Sequence, residues 1–265
     1  MDASASRVVS GHARVRAVLG DPGYTVPDPG SGAAPGTMLW LRQNVARFNE
    51  GADHGRRRAL AVDLLRPVDP GRLRAEARDQ ANAVIDAAGG RPFDVMTQVA
   101  RRVPGRVLAA ALGAADPEQV AGLLAPVAAV YQPGPADPAA ADASVARLAA
   151  LLGRPGEAGE GGGPDERVAA RIGLLIQACD ATAGLTGNAV AAGTLAEVLV
   201  ERTLRADPPV LVTRRVAPDG TTVTLDLTSG GRGGLLEFGW GRHACPGAEH
   251  VRALAEGVIE PLLAR

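Results

Sequence analysis

Alanine, leucine, valine and arginine recur at helical spacing through most of this chain, which predicts a mainly α fold with a small β component. The pattern predicts helices over Ala13–Leu19, His54–Leu65, Gly71–Ala88, Met96–Leu112, Pro117–Val130, Ala139–Leu152, Asp165–Ala192, Leu195–Ala206 and Ala248–Leu263. One run breaks it: Val210–Leu227 is rich in β-branched residues around Pro218, Asp219 and Gly220, and reads as a hairpin. Pro/Gly-rich breaks fall at Asp21–Gly36, Gln132–Pro138 and Gly153–Pro164, the last expected to be a flexible loop. There is no internal repeat, and the 265 residues are expected to form a single domain.

Composition narrows the partners more than the chemistry. All 28 basic residues are arginine; against 29 acidic ones they leave a formal charge of -1, so no overall field invites nucleic acid or an anionic membrane. Two cysteines, Cys179 and Cys245, make no disulfide framework, and a reducing cytoplasm is the expected compartment. The N-terminal residues lack the apolar run of a signal peptide, and no stretch of about 18 apolar residues is expected to span a bilayer. Cys179 has a plain role as a small buried helix residue.

The chemistry is concentrated near the end of the chain, in Phe238, Gly239, Trp240, Gly241, Arg242, His243, Ala244, Cys245, Pro246 and Gly247. Glycines let the backbone turn tightly and approach a flat ligand, and the thiol emerges just before a helix, whose N–H groups favour negative sulfur. An ordinary glycine loop around a structural cysteine is the alternative. The run FGWGRHACPG resembles the cysteine loop of the cytochromes P450, F-G-x-G-x-H/R-x-C-x-G, at every specified position. The resemblance implies an abridged cytochrome P450-like fold and a haem b cofactor with Cys245 as the iron ligand and Phe238, Gly239, His243 and Gly247 beside it.

Other family landmarks follow in register. DHGRRRALAVDLL resembles the family's C helix, whose H-x-x-x-R pair meets the haem propionates; here these are His54 and Arg58, on one helical face. A solvated basic face is the alternative. TLRADPPVLVTRRV resembles the end of the K helix and a following strand, which implies Arg215 as the third propionate partner and His243 of the cysteine loop as the fourth, with Arg214 the competing choice to Arg215 because neighbouring strand residues face opposite ways. RVVSGHARVRAVLGDPGYTVP resembles the first-sheet strand and B helix.

The chain also departs from the family. Where the helix over the haem carries an acid and an alcohol that relay protons, this sequence has Asp180 and Ala181; the nearest alcohol, Thr182, is one residue late and rotated by about 100°. Both Asp180 and Thr182 are candidate catalytic residues. The K-helix E-x-x-R pattern holds Arg202 at the glutamate position, with Glu201 one residue early and Arg205 at the arginine. The meander before the cysteine loop and the C-terminal sheet are expected to be absent. Trp40, Phe48 and the segment from Asp21 to Asp53 line either a pocket or the core.

The resemblance thus implies a haem-thiolate oxidoreductase, a monooxygenase or peroxygenase of a small or medium organic molecule in secondary metabolism, supplied by a ferredoxin or another electron donor. Two alternatives stay open: a haem-dependent dehydratase, isomerase or cyclase, and a noncatalytic relic that binds haem or a partner protein.

Overall fold

A computed structural model describes residues 7–131, 137–154, 165–193, 196–229 and 236–264. Residues 155–164 of the expected flexible loop lie outside the described residues. The first elements are strand β1 (Arg7–Val9) and helices α1 (His12–Gly20), α2 (Met38–Gln43), α3 (Gly51–Leu65) and α4 (Pro70–Ala88). A π-helical turn, Met96–Arg101, leads into α5 (Arg102–Ala111); α6 (Pro117–Ala129), α7 (Ala139–Leu152), α8 (Glu166–Ala192) and α9 (Ala196–Ala206) follow. Strands β2 (Val212–Val216) and β3 (Thr222–Asp226) form the expected hairpin, and α10 (Ala248–Leu263) completes the described fold.

Local chemistry sets the helix ends. Asp69 accepts the Gly71 N–H ahead of Pro70, which needs no donor at a first helical position, and Gly89 closes α4 at φ 59°. Asp165 accepts from the N–H groups of Arg167 and Val168 at the start of α8. The predicted single helix from Met96 divides into a π turn and α5 because Pro104 has no N–H for the residue 100 carbonyl, and its ring crowds that turn. Helix α2 escaped the sequence reading: it has only six residues, started by Thr37 accepting from the Trp40 N–H.

Helix α8 is the axis of the fold and packs against α3, α5, α6, α7, α9 and α10. By length and composition it could cross a membrane, contrary to expectation, but 72% of its apolar stretch is buried, as befits a core helix. Helix α10 lies against α4 so closely that a Cβ at Gly257 would stand 2.3 Å from the Arg74 carbonyl oxygen. A second core joins α1 to the sheet through Val15, Leu19, Val223 and Leu225. The sheet has the order β1-β3-β2, with β1 parallel and β2 antiparallel to β3, and places Arg215 opposite Val223. Trp40 and Phe48 belong to the main core at 7% and 5% exposure, which settles their two readings.

Candidate functional site

The cysteine loop is a tight, hydrogen-bonded arch between the sheet and α10. Gly239 donates to the Leu236 carbonyl (2.8 Å), Cys245 to that of Phe238 (2.7 Å), and Ala244 to that of Gly241 (3.1 Å). Gly239 and Gly241 hold φ of 71° and 69°, and a Cβ at Gly241 would lie 2.8 Å from the Leu19 carbonyl oxygen at the end of α1. Only glycine suits both demands. Phe238 packs against two of the helical clusters, and the Arg252 guanidinium lies 4.5 Å from its ring centre. Gly247 is buried against Leu65.

Cys245 is exposed, yet burial raises its thiol above the usual range, with the Gly247 N–H and the Arg58 charge pulling the other way. Burial therefore outweighs the help that the helix start was expected to give.

The residues expected to hold carboxylates converge beside this loop. His54 and His243 bring their rings to a centroid distance of 4.2 Å. Arg58 donates through Nη1 to the Ala244 carbonyl (2.6 Å). Arg215 points inward at 6% exposure while Arg214 is exposed. Among the described residues Arg215 forms no ion pair; it donates to the Arg214 carbonyl (2.8 Å) and lies 3.4 Å from Thr213 Oγ1. Burial depresses its guanidinium to about 10, against the opposing charge of Glu50. Burial also lowers His54, and burial together with His54 takes His243 down to about 4.

Glu50, together with Arg242 of the cysteine loop, completes the cluster. Glu50 accepts from Arg242 Nε (2.8 Å), and His243 Nε2 lies 3.1 Å from its other oxygen. Burial pushes Glu50 up, but the Arg242 hydrogen bond, the Val26 N–H and the neighbouring charges outweigh it and hold the carboxyl at about 2. The only signal for Glu50 in the sequence was an acid, followed by Asp53, ahead of the basic run at Arg56, Arg57 and Arg58.

The donor set fits haem. His54 Nε2 is buried without a partner, and Arg215 is a buried cation without a carboxylate; both call for an anionic oxygen from a ligand. His54, Arg58, Arg215 and His243 would meet propionates, and Cys245 would meet the iron.

The relay residues separate. Along α8, Gln177 and Asp180 are exposed and Ala181 is half-buried, while Thr182 is 0% exposed with an unpartnered hydroxyl. Thr182 therefore lies on the covered side of the helix, as its rotation from the alcohol position requires. Burial raises the Asp180 carboxyl, with Arg101 opposing. Cys179 is buried, its thiol pushed up to about 11, and contacts the Arg101 carbonyl at 3.7 Å.

The displaced Glu201 has its own partner: Arg252 Nε lies 2.6 Å from Glu201 Oε1, while Arg202 and Arg205 are exposed. Arg252 thus links α9, α10 and the Phe238 ring.

No protein-family model and no curated protein matches the chain. Solved structures do. P450BioI, in complex with an acyl carrier protein ligated to hexadec-9Z-enoic acid, is 20% identical with a TM-score of 0.78, over 97% of this chain and 84% of that one. CxnD, a cytochrome P450 for C–S bond formation in chuangxinmycin biosynthesis, gives 20% and 0.75 over 99% and 81%. Ligand-free CYP164A2 of Mycobacterium smegmatis gives 23% and 0.73 over 97% and 83%.

Proposed function

We propose that this chain, which has a shortened form of the cytochrome P450 fold, is a haem-thiolate oxidoreductase acting on a small or medium organic molecule. The observation that carries this is the meeting of Cys245, on its glycine arch, with the inward cluster of His54, Arg215 and His243. Bound haem would supply redox chemistry tuned by the Cys245 thiolate. The protein's part is to present the sulfur, to fix carboxylates with charge-assisted hydrogen bonds, and to shape the space above. Asp180, accessible and raised by burial, is suited to holding and passing a proton. The biosynthetic role of CxnD supports a substrate from secondary metabolism, and the electron donor of this reading is a ferredoxin or similar protein.

One observation favours a second reading. With Ala181 at the alcohol position and Thr182 buried on the covered side, a haem-dependent dehydration, isomerisation or cyclisation asks less of the α8 residues than oxygen activation does.

Haem reconstitution tests the main reading. The purified chain is expected to develop a Soret band and, when reduced under carbon monoxide, the thiolate-type spectrum; Cys245→Ala is expected to lose that spectrum. A chain that takes up no haem would falsify both readings. Product formed under heavy-isotope dioxygen without label would favour the second.

A further inference from the structure

Glu50 belongs to no motif, yet its side chain ties together the three segments that supply the cation cluster. One oxygen accepts the Val26 N–H (2.8 Å) and lies 3.2 Å from Arg242 Nη2 and 3.1 Å from His243 Nε2; the other accepts from Arg242 Nε (2.8 Å). Its backbone carbonyl accepts the His54 N–H (3.2 Å) and so opens α3. Thr25, next to Val26, exchanges backbone hydrogen bonds of 3.0 and 2.8 Å with Val216, the neighbour of Arg215. Arg242 adds bonds to the carbonyls of Asp21 (3.1 Å) and Tyr24 (2.7 Å). Helix α3, the cysteine loop and β2 are thereby registered on one carboxylate.

Charge points the same way. The charges gathered here include the guanidinium groups of Arg58, Arg215 and Arg242, with Arg47 also acting on Arg215, and the carboxylate of Glu50. The excess of positive charge leaves the cluster suited to a dicarboxylate. Without Glu50, these cations would repel one another and Arg242 would keep only its bonds to the Asp21 and Tyr24 carbonyls.

Resting on the haem-thiolate reading, we propose that Glu50 is a positioning residue for the haem propionates: it orders His243, Arg242 and the Arg215 strand before haem arrives and leaves a cradle charged for two carboxylates.

The test is titration of the chain, Glu50→Gln and Glu50→Ala with haem and with haem dimethyl ester, whose propionates are masked, following the Soret band and checking helical content by circular dichroism. Glu50→Gln keeps the shape of the side chain and carries the test should Glu50→Ala not fold. It is expected to retain helical content, to bind haem about tenfold more weakly, the loss of one charge-assisted hydrogen bond, and to bind the dimethyl ester as the unaltered chain does. Unchanged haem affinity in Glu50→Gln overturns the proposal, as does an equal loss for both porphyrins, which would make Glu50 a support of the fold alone. An unaltered chain that takes up neither porphyrin overturns the haem-thiolate reading and this inference with it.

Discussion

The imidazoles of His54 and His243, one from the start of α3 and the other from the cysteine loop, lie 4.2 Å apart with their planes inclined at 49°. Two rings this close and desolvated cannot both hold a proton cheaply, and both are held below the ordinary histidine range. The contact also binds the two motifs into one site.

A pH dependence follows. The histidines have folded values below the unfolded one near 6.5, so the stability they contribute is complete above that pH and is lost as pH falls toward the His243 value of about 4. Glu50 adds a further loss below its unfolded value near 4.5, ending at about 2. Melting temperature of the haem-free chain should therefore fall steadily from pH 7 to pH 4, and the fall should be shallower in His243→Asn. A melting temperature that holds constant over this range would contradict the assignment.

Arg215→Met separates stability from ligand binding. The haem-free chain should be unchanged or more stable by about 1 kcal/mol, because an unpaired buried cation is replaced by an apolar side chain of similar length. Haem affinity should drop by at least about tenfold. Denaturant unfolding and Soret titration read the two effects, and a matched loss in both would show that Arg215 serves the fold only.

Thr182→Val should stabilise the chain by about 1 kcal/mol, since the hydroxyl is buried without a partner. Turnover, once a substrate is found, should stay within about twofold. A loss of tenfold or more would place Thr182 in the reaction.

Gly241→Ala tests the arch beneath Cys245. A φ of 69° costs an alanine about 1–2 kcal/mol, and the new methyl would stand 2.8 Å from the Leu19 carbonyl oxygen. Melting should fall by several degrees and haem uptake should weaken with it, whereas Gly220→Ala, at φ 81° with nothing within 4 Å of the added carbon, should reduce stability but spare haem uptake.

Features that depend on local spacing were legible in the sequence. The helical periods, the Pro218-Asp219-Gly220 hairpin and the run from Phe238 to Gly247 all follow from residues that act within a turn or two of one another. His54 and Arg58 could be paired for the same reason. The orientation of an element toward its neighbours follows a different logic. Pleating allows either Arg214 or Arg215 to face inward, and only packing of the sheet made it Arg215. Helix rotation likewise turned Thr182 to the covered side of α8 and left Asp180 accessible. Glu201 lost the expected intrahelical register and met Arg252 on α10. Glu50 was invisible because its partners, Val26, Arg242 and His243, lie on separate segments that meet only in the folded chain. The sequence by itself determined the thiol-bearing arch and the elements around it, since backbone freedom and side-chain period are local properties. Tertiary structure decided which charges surround that arch, because burial and charge pairing depend on segments brought together from across the chain.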